Sequence, residues 1–150
     1  MKDGQMYREK DVDILSRTLY GEARNEDRQG LIAVACTVLN RIKKRNMAGY
    51  EVIDGVKTPT IAETCLRKWQ YSCWNKNDPN RKIIIQVSTA AARFVNCVEI
   101  ALAAAKGELE DITKGATHYY NPKACPKPFW AEGKTPCVII GRHLFFNDID

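Results

Sequence analysis

The chain has 150 residues, of which 45% are hydrophobic and 27% are charged, a composition that favours one globular domain over two. Apolar runs all fall short of the roughly 20 residues of a membrane-spanning helix, so stable membrane insertion is not expected. The net charge of +5 favours an anionic partner, and nucleic acid, acidic lipid and acidic cell wall polymer all qualify. The polar start, MKDGQMYREKD, lacks a signal-like apolar stretch and predicts synthesis in the cytoplasm.

The first predicted element is a helix over residues 10–25, in which apolar residues recur at helical spacing. Its inward stripe consists of Val12, Leu15 and Leu19. The next step of this stripe lands on Glu22. A carboxylate buried without a partner is costly, so we expect Glu22 to be paired, to hold its proton or to face a cleft. Glu26 and Asp27, in contrast, are predicted to occupy ordinary solvent positions.

The later elements alternate between helices and loops. Further helices are predicted over residues 29–45, 61–67 and 88–106, with loops or turns over residues 46–59 and 75–81. Ser88 or Thr89 is expected to cap the last helix, and Gly107 to end it. Short apolar runs at 138–140 and 144–146 predict a small β element. The sequence therefore predicts an α+β fold that is mainly helical, with a second, smaller lobe of strands and loops.

The six cysteines do not define a metal site. Cys36 and Cys97 lie in apolar helical patterns and are expected to be buried thiols. In an oxidising compartment, Cys65 with Cys73 or Cys125 with Cys137 could close a short loop. A zinc site made of Cys125, Cys137 and His143 is an alternative, but its spacing matches none of the compact paired-cysteine patterns. We therefore predict neither a metal nor a cofactor.

Polar and aromatic residues without an evident structural role gather in three places: at Glu22, over residues 70–74, and over residues 117–121 together with Trp130. Rings interleaved with amides and hydroxyls are typical of a carbohydrate groove, because sugar faces stack on rings while sugar hydroxyls need directional partners. The same residues could stack the bases of a single-stranded nucleic acid. The inward carboxylate favours a sugar, since it would repel phosphate but could protonate a glycosidic oxygen.

Four motifs in register resemble those of the SleB-type cell wall hydrolases, which are found in spore cortex lysis and in phage lysins. They are Tyr20-Gly21-Glu22-Ala23-Arg24 with the following Gly30, 33–35 and 38–41; Gln70-Tyr71-Ser72-Cys73-Trp74; the segment GATHYYNP at 115–122; and Trp130-Ala131 with IGRHLF at 140–145. Two departures are modest, since Tyr71 stands where the family usually has Phe and Phe146 where Tyr is common. The resemblance covers nearly the whole chain.

This resemblance implies a lysozyme-like fold, related to goose-type lysozymes and lytic transglycosylases, in a single catalytic domain with its core at about residues 10–147. It also implies cleavage of the bond between N-acetylmuramic acid and N-acetylglucosamine in peptidoglycan, with Glu22 as the catalytic acid by motif position. We nominate a substrate-binding set around it: Gln70, Ser72, Trp74, His118, Tyr119, Tyr120, Asn121 and Trp130. The expected partner is a peptidoglycan glycan strand, without nucleic acid, and the protein is expected to be a monomer.

A single carboxylate suffices if the C6 hydroxyl of the muramic acid attacks its own anomeric carbon, which gives a 1,6-anhydro sugar. Glu22 would then have to begin protonated, a state that burial against apolar neighbours favours. A second acid occupies no motif, although Asp111, Glu99 and Glu132 are candidates by type.

Three alternatives stay open at this point. The protein could be a muramidase that uses water, or a non-catalytic binder of murein or nucleic acid. Glu22 could also simply pair with Arg24 or Arg41. A short chain without a visible leader favours a phage endolysin that is made in the host cytoplasm and acts on the wall after release.

Overall fold

The structure is a computed structural model that describes residues 7–68 and 70–150. Its helices are α1 (Glu9–Ala23), α2 (Arg28–Ile42), α3 (Ile61–Leu66), α4 (Pro79–Gln86) and α5 (Ala92–Ala105). Its strands are β1 (Gly49–Ile53), β2 (Val56–Thr60), β3 (His118–Tyr120), β4 (Val138–Ile140) and β5 (His143–Phe146). Short 3₁₀ helices lie at Ser72–Trp74 and Phe129–Ala131. The predicted α+β architecture is confirmed.

Helix α1 is the central element of the helical lobe, and it packs against α2, α3, α4 and α5. Leu15 and Leu19 are fully buried, and Val12 packs against the same core. The predicted apolar stripe is therefore confirmed, and it brings Glu22 to the edge of the core at the last turn of α1. None of the helices in the two described ranges has the length and apolar character needed to cross a membrane.

Helix α5 starts later than predicted. Its N-cap is Ala91, which has no capping side chain, while the Ser88 hydroxyl accepts a hydrogen bond from the Ala90 amide at 3.3 Å in the preceding turn. The prediction of a Ser88 or Thr89 cap is therefore wrong. Gly107, with φ of +75°, takes the left-handed conformation that ends a helix, as predicted.

The prediction of a loop over residues 46–59 is wrong, because β1 and β2 form an antiparallel hairpin there. Ile53 pairs with Val56 across a two-residue turn, and Asp54 and Gly55 both have positive φ, at 50° and 79°. An Asp-Gly pair is a strong hairpin signal, since both central residues of such a turn need positive φ. The segment was predicted to be a loop because of its two glycines and closing proline, although Val52, Ile53 and Val56 flank the Asp-Gly pair.

Helix α4 was also missed, because residues 75–81 were predicted to form only a turn. The turn ends in a helix whose N-cap is Asp78, and its carboxylate accepts a hydrogen bond from the Asn80 amide at 2.8 Å. Pro79 occupies the first helical position, where its missing N–H costs nothing. Ile84 anchors the helix in the core with no exposed surface.

The small lobe is built on an antiparallel sheet with the order β3-β5-β4. Tyr119 pairs with Phe145, and Ile140 pairs with His143 at the tight turn between β4 and β5. Phe145 and Phe146 are buried at the two faces of β5. The strands predicted at 138–140 and 144–146 are confirmed, and β3 joins them.

All six cysteines are free thiols, and Cys36 and Cys97 are buried as predicted. Burial raises the pKa of Cys97 to about 12 and that of Cys36 to about 11, so both thiols stay protonated and inert near neutral pH. The zinc alternative is wrong. Within the described residues Cys125, Cys137 and His143 form no cluster that could hold a metal ion, and Cys125 is exposed.

We expect Gly49→Ala to destabilise the protein, because β1 crosses α3 at this residue without room for a side chain. A β-carbon there would overlap the carbonyl of Glu63 and lie 2.6 Å from the amide nitrogen of Thr64, and these backbone atoms cannot move aside cheaply. The expected loss in the free energy of unfolding is about 1–3 kcal/mol, measured by urea denaturation.

Gly55→Asn is the matched control, since nothing lies within 4 Å of a β-carbon at Gly55 and Asn tolerates positive φ. It should lower the unfolding free energy by less than Gly49→Ala does, by about 1 kcal/mol at most, because only the strain of a side chain at positive φ is introduced. Equal losses in the two variants would contradict the close contact between β1 and α3.

Candidate active site

Glu22, at the end of α1, is held by two neutral hydrogen-bond donors. Its Oε1 accepts a hydrogen bond from the Tyr119 hydroxyl at 2.5 Å, and its Oε2 accepts one from the backbone N–H of Cys73 at 3.2 Å. Each carboxylate oxygen has two lone pairs, so one on each oxygen stays available for a proton or a substrate. The carboxylate is therefore oriented but not fully occupied.

Tyr119 reaches Glu22 from the small lobe, where β3 is fixed by its pairing with β5. Its ring packs edge-on against His143 with centroids 5.1 Å apart, and lies 5.6 Å from the ring of Phe145. Burial, followed by the nearby charge of Glu22, raises the pKa of Tyr119 well above its usual 10. The hydroxyl therefore keeps its proton and acts as a donor at any physiological pH.

The second donor depends on the absence of a side chain at Gly21. The 3₁₀ helix Ser72–Trp74 lies directly against α1, and a β-carbon at Gly21 would come within 2.6 Å of the Cys73 β-carbon. The indole N–H of Trp74 also donates to the Thr18 hydroxyl at 2.8 Å, which fixes this segment on α1. The close packing brings the Cys73 amide to Glu22.

Arg41 of α2 connects the two segments that carry these donors, and its guanidinium group is almost fully buried. Its Nε donates to the carbonyl of Thr117 at 2.6 Å, and a terminal nitrogen donates to the backbone and side-chain oxygens of Gln70 at 3.3 and 2.5 Å. Thr117 precedes Tyr119 by two residues, and Gln70 precedes Cys73 by three. Arg41 thus sets the positions of both donors from one point.

A polar cavity of about 240 Å³ opens at Glu22. Its lining comes from the end of α1, from α4 and from the small lobe: Gly21, Glu22, Ala23, Arg24, Asn25, Glu26, Asn80, Asn121, Ala124, Arg142 and His143. Amide, guanidinium and carboxylate groups dominate this surface, and such groups suit a ligand with many hydroxyls. The cavity therefore combines a Brønsted acid with directional hydrogen-bonding groups.

The prediction that Glu26 is an ordinary solvent residue is wrong, since only 7% of its side chain is exposed. Its Oε1 accepts a hydrogen bond from the Arg142 amide at 3.2 Å and lies 3.7 Å from Nδ1 of His143. Both partners lie more than a hundred residues along the chain, so local periodicity carries no sign of this burial. Asp27 is exposed as predicted, and its side chain caps α2 through the Gly30 amide at 3.0 Å.

Three residues of the 70–74 segment were predicted to bind substrate. Two of them, Gln70 and Trp74, make hydrogen bonds within the protein, and the third, Ser72, faces solvent. The side-chain oxygen of Gln70 is bonded to Arg41, and the indole N–H of Trp74 is bonded to Thr18. Trp74 lines a separate cavity of about 620 Å³ that also contains Asn75 and Pro79. Ser72 is exposed. None of the three lines the cavity at Glu22.

The small-lobe residues that were predicted to bind substrate also occupy different places. Tyr120 is 8% exposed and stacks on Phe146, while Trp130 packs edge-on against both rings. His118 lies 4.9 Å from the Trp130 ring and shares a hydrogen bond with the Thr117 hydroxyl. Asn121 lines the cavity at Glu22. The structure therefore brings Tyr119 and Asn121 to Glu22, and directs Tyr120 into the core of the small lobe, where it packs with Phe146 and Trp130.

Glu22 does not pair with Arg24 or Arg41, the two partners that the sequence suggested. Arg24 donates to the side chain of Asn80 at 2.9 Å, and Arg41 donates to Thr117 and Gln70. The other candidate acids lie elsewhere. Glu99 is exposed and pairs with Arg28 at 3.3 Å, Glu132 is exposed, and Asp111 accepts hydrogen bonds from the Thr113 and Gly115 amides of its own loop. Glu26 is the second carboxylate in the lining of this cavity.

Comparison with known protein families gives a match over most of the chain. The family model described as Cell Wall Hydrolase matches residues 25–146. Curated relatives are the spore cortex-lytic enzymes of Halalkalibacterium halodurans (28% identity over 141 residues), Bacillus subtilis (28% over 135) and Oceanobacillus iheyensis (30% over 142). The alignments cover 94%, 90% and 94% of this chain but only 36%, 37% and 43% of the relatives.

Solved structures show the same fold. The catalytic domain of the Bacillus cereus SleB protein superposes with a TM-score of 0.67 at 22% identity, covering 93% of this chain and 91% of that domain. The catalytic domain of the germination-specific lytic transglycosylase SleB from Bacillus anthracis gives a TM-score of 0.62 at 21% identity, with coverage of 97% and 98%. The predicted lysozyme-like fold is therefore confirmed.

We expect the protein to lose stability as the pH falls from about 6.5 toward 4, because both of its histidines resist protonation when folded. Burial, then the charge of Arg41, lowers the pKa of His118 to about 4, and burial also lowers the pKa of His143. In the unfolded chain each histidine binds a proton near pH 6.5, so protonation favours unfolding throughout this window. Urea denaturation at pH 7.5, 6 and 5 measures the effect.

His118→Asn is the control variant, since the Asn amide can replace Nδ1 in the bond to Thr117 without titrating. It should reduce the fall in unfolding free energy between pH 7.5 and 5. A stability that is constant or rises as the pH falls over this range would refute the assignment.

Proposed function

The chain belongs to the cell wall hydrolase family, and from this membership and the contacts of Glu22 we propose that it is a peptidoglycan-degrading glycosidase. It cleaves the β-1,4 bond between N-acetylmuramic acid and N-acetylglucosamine as a lytic transglycosylase. The observation that carries this proposal is the Glu22 carboxylate, held by two uncharged donors at the edge of a polar cavity. The names of the curated relatives support the substrate class.

In the first step the acid form of Glu22 gives its proton to the oxygen of the glycosidic bond. The bond breaks, the N-acetylglucosamine leaves with a free 4-hydroxyl, and positive charge develops at the muramic acid anomeric carbon. The Tyr119 hydroxyl and the Cys73 amide then donate hydrogen bonds to the new carboxylate. Such preorganised donors stabilise charge without further rearrangement.

In the second step the Glu22 carboxylate takes the proton of the muramic acid C6 hydroxyl while that oxygen attacks the anomeric carbon. The product is a 1,6-anhydro sugar, and Glu22 is protonated again for the next cycle. One carboxylate thus acts first as acid and then as base, so the reaction needs no second proton-transfer group. Asn121 and Asn80 in the cavity lining supply hydrogen-bonding groups for the sugar.

The biological setting is a prediction separate from the reaction. The curated relatives with spore cortex-lytic names favour wall degradation in general, whereas the phage endolysin assignment, synthesis in a host cytoplasm and action as a monomer stay predictions. The single catalytic domain at about residues 10–147 also stays a prediction. The chain spans about two fifths of the length of the curated relatives it matches.

We expect Glu22→Gln to lower kcat on purified peptidoglycan by about 10²-fold or more, because the amide cannot donate and retrieve the proton. Mass spectrometry of the soluble products measures both the rate and the chemistry. The wild type is expected to release muropeptides with 1,6-anhydro ends. Reducing ends would instead indicate a muramidase that uses water, and an absence of cleavage would indicate a binder.

Glu99→Gln is the matched control for this variant, since Glu99 is exposed and bonds across the surface to Arg28. It should retain the wild-type rate. Activity at the wild-type level in Glu22→Gln would move the acid to another residue.

Tyr119→Phe is expected to lower kcat by about 10²-fold, because it removes a hydroxyl that stabilises the Glu22 carboxylate and leaves the ring contacts in place. The measurement is the initial rate of muropeptide release, with thermal unfolding as a check on folding. Tyr50→Phe serves as the control, since its hydroxyl bonds to the Arg45 carbonyl at 3.2 Å, at the surface. Equal rates in the two variants would exclude a role for the Tyr119 hydroxyl.

A further inference from the structure

Glu26 is a buried acid beside the cavity for which the proposed reaction has no use. It follows the last turn of α1 and faces the turn between β4 and β5. Burying a carboxylate is costly unless its oxygens are bonded, so its partners indicate its role. Among the described residues, the partners of its carboxylate are Arg142 and His143 of the small lobe.

The turn between β4 and β5 is built closely around this carboxylate. Oε1 of Glu26 accepts the Arg142 amide hydrogen at 3.2 Å, and Oε2 lies 3.9 Å from Nε of the same arginine. Gly141, with φ of +59°, has no space for a side chain, because a β-carbon there would overlap Oε1. Residue 141 must therefore be glycine if the Glu26 carboxylate is to reach the backbone amide of Arg142.

His143 connects this anchor to the proposed reaction centre. Its Nδ1 lies 3.7 Å from Oε1 of Glu26, slightly beyond hydrogen-bonding distance, and it is buried without another partner among the described residues. Its ring meets the Tyr119 ring edge-on, at an interplanar angle of 87°. Burial lowers the pKa of His143, so the ring is neutral near pH 7.

A continuous series of contacts therefore runs between the two acids. It passes from Glu26 to His143, from His143 to the ring of Tyr119, and from the Tyr119 hydroxyl to Oε1 of Glu22. Displacement of the β4–β5 turn would move the His143 ring and release the Tyr119 ring from one side. The Tyr119 hydroxyl would then leave its place on Glu22.

We propose that Glu26 is a positioning residue, which anchors the turn at residues 141–142 and, through His143, holds the Tyr119 hydroxyl on Glu22. This inference rests on the proposed function, because it assigns Glu26 a part in the same reaction. Glu26 does not transfer a proton to the substrate itself, since its side chain is almost fully buried and both of its oxygens face Arg142.

The test is a double-mutant cycle between Glu26→Ala and Tyr119→Phe, with kcat and KM measured on purified peptidoglycan. In the wild-type background Glu26→Ala should lower kcat by about 10- to 100-fold and leave KM unchanged within about twofold. In the Tyr119→Phe background the same change should lower kcat by less than about twofold, because the hydroxyl it positions is gone. A residue that only stabilises the fold would give the same factor in both backgrounds.

Three further variants keep the test decisive. Glu26→Gln retains an acceptor for the Arg142 amide and should keep kcat within about fivefold of the wild type. This conservative variant would then retain the activity that Glu26→Ala loses. If Glu26→Ala does not fold, His143→Leu removes the residue that connects Glu26 to Tyr119. It should lower kcat in the wild-type background but have little effect on kcat in the Tyr119→Phe background. Glu99→Gln, at the surface, is the control and should match the wild type.

The outcomes separate this inference from the proposed function. A wild-type protein that releases no muropeptides overturns the function itself. The proposed function stands if the wild type cleaves peptidoglycan and Glu22→Gln does not. In that case only the role of Glu26 is overturned if Glu26→Ala has a normal kcat, or if it lowers kcat by the same factor in the wild-type and Tyr119→Phe backgrounds.

Discussion

The geometry at Glu22 depends on one buried cation, the guanidinium of Arg41. Only 5% of Arg41 is exposed, and its hydrogen bonds go to the carbonyl of Thr117 and to both oxygens of Gln70. Burying a charge is costly unless it is hydrogen-bonded, so the bonds of Arg41 favour a fold in which these two segments meet at the C-terminal end of α2. The two donors to Glu22, Tyr119 and the Cys73 amide, follow directly from that junction. The core of the helical lobe and the sheet of the small lobe are thus joined where the acid lies.

The kind of donor matters as much as its position. An arginine bonded directly to Glu22 would favour the carboxylate so strongly that the group could not act as an acid. The structure has a phenol and a peptide N–H at this place instead, and both can remain bonded while the proton on Glu22 comes and goes. Arg24 and Arg41 lie in the vicinity, but their hydrogen bonds go to Asn80, Thr117 and Gln70. This arrangement lets one side chain serve as acid and then as base.

Sequence reasoning succeeded where a feature is encoded locally. The stripe of α1 predicted the inward position of Glu22, and Gly107 predicted the end of α5. It failed where distant segments decide, as for Glu26, whose burial is created by residues 141–143. Distant segments also decide which of the two neighbouring tyrosines, Tyr119 or Tyr120, lies at Glu22. Alternation along β3 shows that Tyr119 and Tyr120 face opposite ways, but only the tertiary packing decides which one reaches Glu22.

The two acids beside the cavity differ in what surrounds them, and this difference explains why a single residue carries the chemistry. Glu22 has uncharged donors and faces the cavity, so a glycosidic oxygen can approach it. Glu26, four residues later, is enclosed by Arg142, Gly141 and His143. Two carboxylates that both faced the sugar would repel each other and would compete for one proton. Directing the second carboxylate into the β4–β5 turn removes that competition and uses its charge to fix the lobe that supplies Tyr119.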